Sequence, residues 1–175
     1  MNQKLITPAE ATVLIAPATS TATKCIQAGL LSLLGAERIA LEKKSSPFKQ
    51  SALVLNSPTM PSTDSLPRHL VVLERALLDY GKGNRLVSSE VVHALQKRFG
   101  YGYERYLQDE VAPGLIERNL LTRTDSKRFG LFRRVTYQRT ARGEALAAPL
   151  QRLLSAIETM PSLLTTDPEQ AMRLA

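Results

Sequence analysis

The sequence predicts a mainly α-helical protein with small β-hairpins, of the α+β class, built as two helix-then-hairpin units in tandem. Three observations predict it. Apolar residues recur at three- and four-residue spacing in several segments. Two stretches of period-two alternation are each broken by turn formers. A run of small polar residues and prolines at 57–67 separates the first helix-and-hairpin set from the second.

Thr7-Pro8-Ala9-Glu10 is a helix start: a threonine to cap, a proline suited to the first turn and a glutamate able to reach back. A short helix over 8–15 follows, and Pro17 stops it. Ile26, Leu30, Leu33 and Leu34 share one face of a second helix over 21–34, which Gly35 is expected to end. Residues 38–42 and 50–55 alternate around the turn-rich stretch 43–49 and predict a hairpin. These 56 residues form the first unit, and 57–67 is the expected linker.

The second unit, 68–158, opens with a helix over 68–80 whose stripe is Leu70, Leu73, Leu77 and Leu78. Gly81-Lys82-Gly83-Asn84 turns the chain. Ser88 is the expected cap of a helix over 89–99. A third helix over 103–119 presents Leu107, Val111, Leu115 and Ile116 on one side, and Pro113 should kink it. Strands at 120–122 and 132–139 are expected across a connection at 125–131. Thr140 then caps a last helix over 141–158, and 159–175 is expected to be a flexible tail. Helix, helix, helix, hairpin, helix is the order of a winged-helix unit. The first unit is a shorter version of that plan, so the expectation is two winged-helix-like units in tandem.

The charge of the chain is local. Seven of its 23 Lys and Arg fall between Thr122 and Arg142, with Asp125 the only acid among them, so this segment carries nearly all of the formal +7. Arg123, Lys127, Arg128, Arg133, Arg134, Arg139 and Arg142 therefore form a candidate anion-binding set, because summed potential over a short patch attracts phosphates. The bland alternative is a solvated surface hairpin. The third helix offers Glu104, Gln108, Asp109 and Glu110 beside Arg105, a poor composition for reading base edges. The lone Cys25 cannot form an internal disulfide and reads as a buried thiol. His69 and His93 lack partners at metal-ligand spacing, and Gly81-Lys82-Gly83 lacks the spacing of a phosphate loop. No catalytic residue, metal or cofactor is expected. With no apolar run of about 20 residues, a cytoplasmic protein is expected, peripheral at a membrane where its anion is a lipid headgroup.

Two resemblances add to this. Residues 115–121, then Arg133-Arg134-Val135-Thr136-Tyr137 and Thr140-Ala141-Arg142-Gly143-Glu144-Ala145-Leu146, resemble the recognition-helix end, wing and closing helix of bacterial winged-helix transcription regulators. Leu5-Ile6-Thr7-Pro8-Ala9-Glu10, Arg38-Ile39-Ala40-Leu41-Glu42, Leu53-Val54-Leu55-Asn56-Ser57-Pro58, Leu115 to Leu121 and Lys127-Arg128-Phe129-Gly130-Leu131-Phe132 are similar, in order, to the first two-thirds of the Golgi-phosphoprotein-like family. That resemblance implies a helical, non-catalytic domain docking on phosphoinositide headgroups and adaptor partners at a membrane surface. Its headgroup positions fall on Lys24, within 23–29, and on Arg105, with Gln108 where the family has a second arginine.

The expected function is thus a non-enzymatic binding protein meeting an anionic lipid headgroup or acidic protein surface through the basic hairpin, with Arg105 and Lys24 as further anion contacts. A DNA-binding regulator, with nucleic acid as partner, and a protein-interaction scaffold are the alternatives. The apolar stripe Leu146, Leu150, Leu153, Leu154 and Ile157 could support a homodimer or pack within its own unit.

Overall fold

A computed structural model describes residues 5–18, 21–42, 52–56, 66–80, 85–128 and 132–166, with the side chains of all these except 127–128, 132–134 and 156–166. The expected linker up to residue 65, the turns at 43–49 and 81–84, and the tail from 167 lie outside the described residues. The elements run α1 (Pro8–Ile15), α2 (Ala22–Gly35), β1 (Ile39–Glu42), β2 (Ala52–Leu55), α3 (Arg68–Leu78), β3 (Arg85–Val87), α4 (Ser88–Phe99), a π-helical segment (Tyr106–Val111), α5 (Ala112–Glu117), β4 (Leu121–Arg128), β5 (Phe132–Arg139) and α6 (Ala141–Thr166). The class is mainly α with small antiparallel sheets.

Local chemistry sets the helix ends. The Thr7 hydroxyl accepts from Glu10 N (3.3 Å) and the Glu10 carboxylate accepts from Thr7 N (2.9 Å), which completes the expected capping box. The Thr140 hydroxyl accepts from Gly143 N (3.0 Å) and donates to the Asn119 carbonyl (2.7 Å), so it starts α6 while tying it to the end of α5. α2 ends at Gly35, as expected, though Gly35 is not the residue that turns left-handed. The left-handed residue is Glu37 (φ 56°), and Arg38 N donates to Leu33 O at 2.9 Å across it. Asn119 (φ 57°) does the same after α5, with Leu120 N donating to Leu115 O. Ser88 is the first helical residue of α4 rather than its cap; Glu90 receives the Val87 N–H at 2.9 Å.

Three further expectations change. The expected third helix is divided, and Pro113 stands in the first turn of α5 directly after a π-helical segment: its missing N–H and bulky ring are accommodated where the preceding turn widens. The expected short strand at 120–122 is eight residues long, so β4 and β5 pair from Leu121↔Arg139 out to Arg128↔Phe132, leaving only 129–131 between them. The last helix passes Glu158 to Thr166, and the expected flexible tail is therefore helical in its first part. Pro149 and Pro161 each remove one helical N–H without stopping the helix.

The two expected units share one core. A contiguous cluster of buried residues includes Val13 and Leu14 of α1, Ile26 and Leu33 of α2, Leu73 and Leu77 of α3, Leu107 of the π-helical segment, Leu115 of α5 and Tyr137 of β5. β3 belongs by sequence to the second unit, yet it pairs antiparallel with β2 of the first, giving the sheet order β1-β2-β3. Arg38 reaches across to Glu74 of α3 with two bonds of 2.8 and 3.1 Å, both side chains nearly buried. Where α2 crosses the π-helical segment there is room only for glycine: a Cβ on Gly29 would lie 2.7 Å from the Tyr106 hydroxyl and 2.8 Å from Leu73 Cδ2.

Candidate functional site

The basic segment folds as the β4–β5 ribbon and the first turn of α6. Register and strand alternation put Leu121, Arg123, Asp125 and Lys127 on one face with their partners Arg139, Tyr137, Val135 and Arg133. The other face carries Thr122, Thr124, Ser126 and Arg128 with Gln138, Thr136, Arg134 and Phe132. The outer end thus has basic residues on both faces, Lys127 and Arg133 on one, Arg128 and Arg134 on the other. The root is different. Leu121 and Tyr137 are buried in the common core, and Gly143 beside them is held so close to Leu120 that a Cβ would sit 2.0 Å from its carbonyl oxygen.

The nine candidate cations separate by environment. Arg139 is committed to the fold: its Nη1 donates to the carbonyls of Leu14 and Ile15, both at 3.0 Å, and its Nε to Glu144 at 2.8 Å. These carbonyls belong to the last turn of α1, which has no intrahelical partners for them and favours a cation. Arg123, on the same face, is exposed and bonded to Asp125 within its own strand at 3.0 Å. That bond, together with the Asp125 charge, holds its guanidinium pKa above the ordinary value. Arg142, in the first turn of α6, is exposed. Lys127, Arg128, Arg133 and Arg134 are placed by strand register alone.

Lys24 lies on α2 and Arg105 immediately precedes the π-helical segment that α2 touches, and both are exposed. Below them the interior is closed. Tyr106 is fully buried, edge-on to Phe99 at 5.1 Å, and burial pushes its hydroxyl well above the usual phenol range, with Cys25, Glu110 and Glu10 adding to it. The Cys25 thiol, buried and donating to Ala9 O, is pushed up to about 12, first by burial and then by Glu10.

A polar cleft of about 250 Å³ opens between the starts of α1 and α3 and the π-helical segment with α5. Sequence reasoning missed it. Glu10, read as a capping residue, also pairs with Arg118, and Thr7 Oγ1 lies 3.1 Å from Nε2 of the buried His69. Arg118 in turn donates from Nε to the Gly114 carbonyl at 2.9 Å. These groups satisfy one another and clamp α1 to α5. The pairing of residues more than a hundred positions apart left no signal in local sequence.

Residues 17–174 match the family described as Golgi phosphoprotein 3 (GPP34). No curated protein matches the chain.

Proposed function

The chain belongs to the Golgi phosphoprotein 3 family, and from that premise we propose that it is a non-enzymatic binding protein whose β4–β5 ribbon docks on an anionic, phosphate-rich membrane surface. The observation that carries this is the ribbon's division: a root fixed in the core and an outer end with basic residues on both faces. The three residues between the strands are Phe129, Gly130 and Leu131, followed by Phe132. Apolar residues flanked in sequence by Lys127, Arg128, Arg133 and Arg134 suit the boundary between headgroups and acyl chains, where each cation contributes about 1 kcal/mol. No helix among the described residues is long and apolar enough to cross a membrane, so the contact is peripheral. Lys24 and Arg105, both exposed, serve as the second anion contact.

Duplex DNA is the competing polyanion. The third helix weighs against it, since Tyr106, Leu107 and Val111 are buried and Asp109 is the exposed acid of the same turn. Full-length protein should sediment with vesicles containing phosphatidylserine and not with neutral vesicles. Binding should fall as salt rises, because exposed charges are screened beyond about 8 Å at physiological ionic strength. Charge reversal by Arg133→Glu with Arg134→Glu should weaken it at least about tenfold. A duplex-DNA shift with steep inverse salt dependence, without vesicle binding, would establish the regulator instead. Silence in both assays would leave an acidic protein surface as the partner and overturn the membrane reading.

A further inference from the structure

The polar cleft between α1, α3 and the π-helical segment with α5 holds more charge than its clamp uses. Glu10 and Arg118 answer each other, and Arg118 also bonds the Gly114 carbonyl. The remaining charged groups that line the cleft are Glu110, Asp109 and Glu117 against Arg68, an excess of two negative charges. Glu110 is the member that the fold leaves without a hydrogen bond. Its side chain is 11% exposed, and its Oε2 is buried with no hydrogen-bond partner among the described residues. It faces Arg68, whose Nε stands 3.5 Å away in an ion pair that forms no hydrogen bond. The buried Tyr106 hydroxyl feels the charge of Glu110, yet it donates to neither that carboxylate nor any other described group. A carboxylate oxygen withdrawn from water and given no donor is costly, and native proteins keep such atoms rarely.

The missing donor is narrowed by the cleft's composition. An anion is repelled by the excess negative charge. A metal ion is not favoured, since no three His, Cys, Asp or Glu side chains among the described residues are grouped to hold one. An organic cation remains, and a primary ammonium is compact and brings three donors. A donor that enters from the cleft takes the place of Arg68 beside Glu110, and Arg68 gives way at little cost because its side chain is already 83% exposed. Pro67 and Pro113 offer apolar wall to an alkyl stem, and the exposed Asp109 and Glu117 stand on the rim to meet a second positive charge. The space of about 250 Å³ takes a short chain of this kind.

We propose that this cleft is a binding site for a short alkyl diamine, one ammonium donating to Glu110 Oε2 in place of Arg68 and the other held by Asp109 and Glu117. The hydrogen bond so formed is charge-assisted and shielded from water, which places most of the affinity at Glu110. The site shares no residue with the basic ribbon or with Lys24 and Arg105. It stands or falls separately from the membrane reading.

Isothermal titration of the full chain with putrescine should give a one-to-one complex with a dissociation constant below about 1 mM. Glu110→Gln, which keeps the shape of the side chain, should weaken it at least about tenfold with circular dichroism unchanged. Arg68→Ala removes the competing cation and should tighten it severalfold. Glu104→Gln takes away an exposed carboxylate outside the cleft and should leave binding as it was. Butanediol, the uncharged counterpart, should not bind, and an equal concentration of magnesium ion should not displace the diamine. Putrescine should also raise the thermal midpoint of the native chain and not that of Glu110→Gln, because binding to the folded state alone stabilises it. Absence of binding at millimolar concentration, or equal binding by Glu110→Gln, would overturn the proposal. So would displacement by magnesium, or a loss on Glu104→Gln as large as that on Glu110→Gln, since either result means diffuse attraction to surface acids. Butylamine binding as tightly as putrescine would overturn the part given to Asp109 and Glu117.

Discussion

Arg123 and Arg139 stand on the same face of one ribbon, in register with Tyr137 and Leu121 respectively, and do opposite things. Arg139 closes the carbonyl end of α1 and an ion pair to Glu144, so its charge is consumed inside the protein. Arg123 pairs only with its strand neighbour Asp125 among the contacts described, and it keeps an exposed guanidinium. A cluster of like charges in sequence is therefore not one site. At the root, a cation is held because a helix end needs it; farther out, Arg123 bonds only within its own strand and stays exposed.

The division can be broken from the root outward. The largest effect is expected of Gly143→Ala, since a Cβ cannot occupy a point 2.0 Å from the Leu120 carbonyl; it should cost about 3 kcal/mol in urea unfolding as α6 shifts off the ribbon root. Arg139→Ala comes next, at about 2 kcal/mol, because it strands the Leu14 carbonyl and leaves that of Ile15 only the 3.5 Å bond from Gln151. A loss under 0.5 kcal/mol there would mean that Arg139 is as dispensable as the outer cations, and the contrast would fail.

Alkaline pH separates the two regions without mutation. The native Cys25 thiol is raised from 9.0 to about 12, so the stability it contributes is whole below pH 9 and is lost as pH climbs toward 12, when the unfolded thiol ionises first. Unfolding free energy should fall by about 1.4 kcal/mol between pH 8 and pH 10 from this group, and Cys25→Ala should flatten that slope. Guanidinium groups stay charged over the same interval, so binding by the ribbon should persist in the folded protein. The smallest stability effect is expected of Arg142→Ala, within about 0.5 kcal/mol, with anion binding weakened severalfold by titration against vesicles.

Short-range signals carried well. The Thr7–Glu10 box, the Thr140 cap and the bounds of β5 all rest on neighbours within a few positions, and each is found where the residues require it. What was illegible depended on distance in sequence. β3 has three residues, too few for alternation to register, and it exists because β2 offers it an edge. The left-handed turn at Glu37, two positions after the glycine that ends α2, had no signal of its own, because the bond from Arg38 N to Leu33 O sets it. The roles of Arg38, Arg118 and Arg139 were invisible because their partners, Glu74, Glu10 and the α1 carbonyls, lie far along the chain.

By itself the sequence determined where α1, α3 and α6 begin, where β1, β2 and β5 run, and that nearly all the net charge sits in one twenty-residue stretch, because these follow from the preferences of neighbouring residues and from simple summation. Only the tertiary structure decided that the two units share one core, that Pro113 follows a π-helical turn, and that Arg139 of the basic stretch is committed to the fold. Those outcomes turn on burial and on orphaned backbone groups, and a carbonyl becomes an acceptor for Arg139 only after α1 has been packed against the root of the ribbon.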